Sequence, residues 1–328
     1  MKTTVRNPQH LTVQASATGH APELHLHCKR QERKMRSGLV ALLLAFLLFP
    51  AAGFAQSIAY VSFSGSDENQ CNRQAPCKTI THALAAVPAG SVVDIIASGI
   101  YDTFTITKAV SVEADPGVVA QIRVPSGGTG ITINAGSSDP VTLKRLSIWG
   151  SNVNEVAIQG NSAGKVMIED CVSRNVRYGA SLVSTGAAFK VTGGVFEGTD
   201  TSIIIRAGSN QVSIDGVRIE GNGSNAGVDV VGSNVTITRS LLAGDGSTGV
   251  NPGVWVKSGS AAELENDVIS GYGPGVVANG TVHMSNNTIT NNSTGIDVSG
   301  GTAYTRGNNT IAANTTNVSG SLTPFAAE

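Results

Sequence analysis

The chain has 328 residues, of which 39 are Gly, 41% are hydrophobic and only 5% are aromatic; its formal net charge is −1. So few aromatics beside so much Gly, Ser, Thr, Asn and Val exclude a bulky core and point to a narrow interior lined by small branched side chains. No basic patch is present, which removes nucleic acid from the expected partners.

Residues 30–56 read as a signal peptide. Lys34 and Arg36 precede the apolar run Leu39 to Phe49, and Gly53, Phe54 and Ala55 form a small-x-small cleavage site before Gln56. The run is shorter than the roughly 20 residues of a spanning helix. Residues 1–34 sit oddly upstream, so the chain is expected to start at Met35, with a long signal n-region as the rival reading. His25, His27 and Cys28 precede the signal and are not read as a metal site. Cleavage after Ala55 removes 7 of 22 basic and 2 of 23 acidic residues, leaving 15 against 21 and a net charge of −6. The expected product is secreted, periplasmic or surface-associated, and not an integral membrane protein once processed.

The expected divisions are 1–55 for extension plus signal, 56–90 for an N-terminal cap, and 91–328 for the main body. Cys71 and Cys77 lie six apart around Pro76. In an oxidising compartment they are expected to pair. A metal pair is the rival, disfavoured because the sequence shows no second Cys pair or neighbouring His. Cys171 falls at an apolar repeat position and reads as a small buried hydrophobe. Ile80, Ala83, Leu84 and Val87 recur at helical spacing behind Thr79, a candidate N-cap. A short helix there closes the end of a β-stack and shields its edge.

From Ser91 on, short strands alternate with Gly, Asn and Ser turns. One apolar column runs Leu143, Ile168, Val191, Ile214, Ile237, Leu264, Met284. A second runs Ile148, Ser173, Phe196, Ile219, Leu242, Ile269, Ile289, Ile311. A third runs Leu182, Ile205, Val230, Val256, Ala278, Val298. Steps of about 20–27 residues shared by three columns predict three strands per turn, each turn stacked on the last. Period-two alternation such as Val212/Ile214 puts one face inside. The fold class is therefore all-β: a right-handed parallel β-helix with three-strand rungs and a short N-terminal capping helix. Gly and Asn after the second column, as at Gly198, Gly221-Asn222, Gly244 and Gly271, are expected to take left-handed turns. Asn286, Asn287, Asn291 and Asn292 are expected to form amide ladders in turns.

Tyr60-Val-Ser-Phe-Ser-Gly-Ser-Asp, then Cys71, Ala-Pro-Cys-Lys-Thr-Ile-Thr-His-Ala-Leu and Gly99-Ile-Tyr-Asp resemble the opening of secreted bacterial β-helix proteins of the pectin-lyase-like superfamily. The resemblance covers about residues 58–320. It implies the fold strongly and the activity weakly, because that superfamily includes lyases, glycosidases, esterases, epimerases and non-enzymes. Members that hydrolyse polygalacturonate carry a paired Asp-Asp, a Gly-His-Gly and an Arg-Ile-Lys. This chain lacks the first two and has Arg218-Ile219-Glu220 in place of the third. The tight Asp cluster of calcium-dependent lyases is also absent from the sequence.

The candidate catalytic residues are Glu197 and Glu220, 23 residues apart in one column, with Arg218 and Asp215 on the same rung as Glu220. Stacked carboxylates about 4.8 Å apart raise one another's pKa or hold a cation such as calcium. The same spacing is close to the roughly 5–5.5 Å of retaining glycosidases. The bland alternative is a solvated turn edge. Trp149, Trp255, Arg206 and Asp229 are candidates for carbohydrate contact. No cofactor is expected beyond that calcium. The leading expectation is a non-catalytic carbohydrate-binding or cell-surface module. A divergent polysaccharide lyase or glycosidase and a structural or adhesin module are the alternatives.

Overall fold

The structure, a computed structural model, describes residues 57–326 except 152, 153, 185, 207, 209, 210, 222–224 and 247–250. The signal segment and Asn222 lie outside the described residues. Alternation of apolar and polar residues produces short strands, and their neighbours in space come from the next rung, not the next strand in sequence. They form three parallel sheets of 12, 10 and 10 strands. The first sheet begins at Ile58–Val61, which pairs with Ser91–Ile95.

The three apolar columns are the three interior faces. Leu143, Ile168, Val191, Ile214, Ile237, Leu264 and Met284 stack in register on sheet 1, each at most 1% exposed. Ile148 through Ile289 do so on sheet 2, and Leu182 through Ala278 on sheet 3. At one end the helix α1 (Ile80–Ala86) buries Ile80, Ala83 and Leu84 against this core. The Thr79 hydroxyl accepts from the His82 backbone N–H as its N-cap. Asp67 braces that cap, accepting from the Lys78 and Thr79 N–H groups and the Thr79 hydroxyl. Burial opposes ionisation of Asp67, but these hydrogen bonds outweigh it and hold the carboxyl below its usual range.

Cys71 and Cys77 form a disulfide. His82 is folded beside it, with its ring nitrogen within 4.8 Å of the sulfurs, a proximity the sequence reading overlooked. A disulfide sulfur is not a thiolate, so this grouping is no metal site while the bond is formed. Cys171 is free and buried, and burial pushes its thiol up to about 12.

The turns differ from the expectation. Of the four Gly positions named after the second column, Gly271 has positive φ, at 79°. Gly244 is instead demanded by close approach, because a Cβ there would strike the carbonyl of Gly271. The left-handed residues concentrate at the corner between sheets 1 and 2, where Arg145, Asp170, Arg239, Asn266 and Asn286 adopt φ of 51–60°. Behind that corner, the next side chain is buried at Leu146, Cys171, Val217, Ser240, Asp267 and Asn287. Asn287 accepts from the Asp267 N–H, and Asp267 accepts from the Ser240 N–H. A parallel ladder at the next corner links Tyr272, Asn292 and Asn314.

Candidate functional site

Because residues alternate in and out, every strand also offers an outer face, and stacking turns outward residues into vertical files. On sheet 2 one file runs Arg123, Trp149, Arg174, then Glu197, Glu220 and Ala243. Glu197 and Glu220 are register partners, as their spacing requires. Glu220 is held by Arg218 at 2.5 Å and by Arg174 at 3.7 Å, so two guanidiniums surround one carboxylate. Trp149 stands in the same file, 40% exposed, with its indole N–H donating to Ser147. The structure thus joins Trp149 to Glu197, Glu220 and Arg218.

Asp215 is not part of that group. It faces outward from sheet 1, where it accepts from Thr238 and pairs with Arg239 at 2.5 Å. Sharing a rung with Arg218 does not bring it close, because the sheet corner intervenes.

Trp255, Arg206 and Asp229 gather on sheet 3. Asp229 and Trp255 are register partners. Asp229 is 3% exposed, and burial raises its pKa against the opposing pull of Lys257 and Arg206. Lys257 lies 3.7 Å from Asp229 and over the Trp255 ring. Burial lowers its pKa, and Asp229 partly offsets this. The Trp255 indole donates to Asn279. With its carboxylate covered and its indole occupied, this cluster braces the outer face of sheet 3.

A second acidic group lies near the disulfide loop. Asp94 is raised to about 6, first by burial and then by the charges of Asp115 and Glu113. Arg73 from the loop reaches Asp115 at 3.8 Å, and Arg145 reaches Glu113 at 3.5 Å.

An open groove of about 610 Å³ runs along the outer face of sheet 1. Lys165 and Lys190 line one end, Gln211, Ser213, Asn234 and Thr236 the middle, and Glu263 and His283 the other end. Their strands are separated by five register steps, about 24 Å at the usual strand spacing. The floor mixes apolar surface, from residues such as Ala188 and Ala261, with hydroxyl and amide groups, the donors and acceptors that sugar hydroxyls need. His283 stacks on Tyr304 with ring centroids 4.7 Å apart. The sequence reading assigned none of these groove residues to a site. Lys190, Ser213, Thr236, Glu263 and His283 each precede a member of the first inward column by one residue. Reading the outward positions in register would have found them.

Residues 129–316 match the family described as "Right handed beta helix region". The chain belongs to this β-helix family. Residues 63–108 match a second family, described as "Protein of unknown function (DUF1565)". A search of curated proteins finds no match. Among solved structures this β-helix is similar to pectate lyase Pel9A, with a TM-score of 0.63 and 17% identity over 82% of this chain and 80% of that one. It is also similar to a rhamnogalacturonan lyase, with a TM-score of 0.54 and 15% identity over 76% and 75%. At these identities the likeness concerns the fold. Among the described residues no helix is long and apolar enough to cross a membrane.

Proposed function

We propose that this β-helix is an exported module that binds an extended acidic polysaccharide along the outer groove of sheet 1 without cleaving it. The observation that carries this reading is the groove itself: an elongated floor across stacked rungs that mixes apolar surface with hydroxyl and amide groups, and two exposed lysines, Lys165 and Lys190, at one end. Ammonium groups there suit the carboxylates of a uronate chain. The neighbours' names, a pectate lyase and a rhamnogalacturonan lyase, add chemical plausibility to an acidic glycan. The non-cleaving part rests on the Glu197–Glu220 pair. Arg174 and Arg218 both engage Glu220, tying its carboxylate into ion pairs instead of leaving it open beside Glu197. Two carboxylates there also fall short of the six to eight oxygens of a calcium shell.

Calorimetric titration with polygalacturonate and a neutral glucan tests the reading, together with a reducing-end assay on the same polymers. Binding of the acidic polymer alone is expected. Lys165→Ala/Lys190→Ala is expected to weaken it about tenfold, or about 1.4 kcal/mol, and added salt is expected to weaken the wild type in the same direction. New reducing ends would show cleavage, and their loss in Glu197→Gln/Glu220→Gln would assign it to that pair.

A further inference from the structure

We infer that the sheet 1 groove is walled at one end and recognises the terminus of a glycan chain rather than its middle, an inference that rests on the binding function proposed above. A second cavity of about 180 Å³ adjoins the groove and shares Glu263 and His283 with it. Its other walls include Glu265, Arg306 and Phe325. Phe325 follows the last strand, Leu322–Pro324, and its backbone N–H donates to the Thr305 carbonyl at 3.0 Å. Its ring meets His283 and Tyr304 edge-on, with centroids 5.5 and 6.4 Å away. The Arg306 guanidinium lies 5.3 Å from the Phe325 centroid. An aromatic ring and a cation thus border the groove at its His283 end, on the sheet's outer face. At the other end, the register partner of Lys165 one rung earlier is the exposed Pro140, which raises no comparable wall.

The charge along the groove has a direction. Lysines occupy the open end, and the exposed Glu263 and Glu265 occupy the walled end. A chain bearing a carboxylate on every ring meets repulsion at these two glutamates. A ring carrying only hydroxyls instead donates hydrogen bonds to them, since a carboxylate is an acceptor. The Phe325 ring lines the same cavity and offers aromatic surface to the sugar's apolar C–H face. The groove therefore fits an oligosaccharide with uronates along its length and a neutral terminal sugar, seated in the cavity against Phe325.

The test uses the full chain and alternating galacturonate–rhamnose heptasaccharides with rhamnose at both ends. These are offered free, or with a bulky fluorophore coupled to one terminus or the other, alongside the long polymer of the same repeat. Blocking one terminus is expected to weaken binding by about tenfold or more, and affinity per repeat is expected to fall as the polymer lengthens. Phe325→Ala should remove this discrimination, bringing free and blocked chains to within about twofold of each other. Arg306→Ala, at an exposed position, should act in the same direction, and both folds are checked by circular dichroism. If both blocked chains bind the wild type as well as the free one, terminus recognition is wrong while glycan binding stands. If no probe binds, the binding function fails, and the inference with it.

Discussion

The corner between sheets 1 and 2 is built twice, with different chemistry. In the first half of the solenoid its inward residue is apolar: Leu146, Cys171 and Val217, each at most 2% exposed. In the second half it is Ser240, Asp267, Asn287 and Asn309, joined by side chain to backbone hydrogen bonds. The left-handed residue before it recurs in both halves, at Arg145 and Asp170 as at Arg239, Asn266 and Asn286. The backbone bend therefore does not depend on what fills the corner. The fill decides how the corner's buried amides are satisfied.

The largest expected effect comes from breaking the ladder. Asn287 accepts from the Asp267 N–H and donates through its amide to the Leu264 carbonyl. Asn287→Leu imitates the other half of the solenoid but leaves both groups buried without that partner. It should cost about 3 kcal/mol, read as a lower urea midpoint at unchanged m-value.

Asp267 sharpens the comparison, because it is an acid in an amide's place. Its Oδ1 accepts from Ser240, but its Oδ2 is buried without a partner. On the next two rungs the equivalent amides donate to the Leu264 and Met284 carbonyls. In register, the carbonyl of Ile237 takes that place for Asp267. An ionised oxygen facing a carbonyl is unfavourable. Burial, followed by the charges of Asp215 and Glu265, raises this carboxyl to about 7 against the opposing pull of the Ser240 and Glu265 backbone N–H groups. The folded state thus binds a proton that the unfolded chain releases near pH 4, so stability should fall as pH rises from about 4 to about 7 and level off above. Asp267→Asn supplies a donor without titrating. It should flatten that slope, leaving the part that the raised Asp94 and Asp229 contribute, and raise stability at pH 8 by about 2 kcal/mol, checked by melting temperatures from pH 4 to pH 8.

The smallest effect tests the reverse exchange. At Val217→Asn the corresponding carbonyl belongs to Val191, the register partner of Ile214. If the corner geometry is common to both halves, the new amide finds partners and the cost stays near 1 kcal/mol. A loss as large as that of Asn287→Leu would show the halves to be different scaffolds.

Legibility followed the same division. Ile214, Ile237 and Leu264 were readable as one column because a parallel stack repeats inward residues at rung spacing. Asn287 and Asn292 were readable as ladders because an amide carries both the donor and the acceptor a buried corner needs. The mutual register of Glu197 and Glu220 was equally legible. The claims of Arg174 and Arg218 on Glu220 were not, since long side chains choose partners only once the outer face exists.

The sequence by itself determined the periodic quantities: three inward columns, the helix behind Thr79, and the burial of Cys171. These depend on alternation and spacing, which survive without knowledge of neighbours. Only the tertiary structure decided that Asp215 turns away from Arg218, that His82 lies beside the disulfide, and that Lys165, Lys190, Glu263 and His283 share a groove walled by Phe325. Such relations join residues across sheet corners and many rungs, and a one-dimensional period does not encode the angle of a corner or which outward side chains of neighbouring rungs lean together.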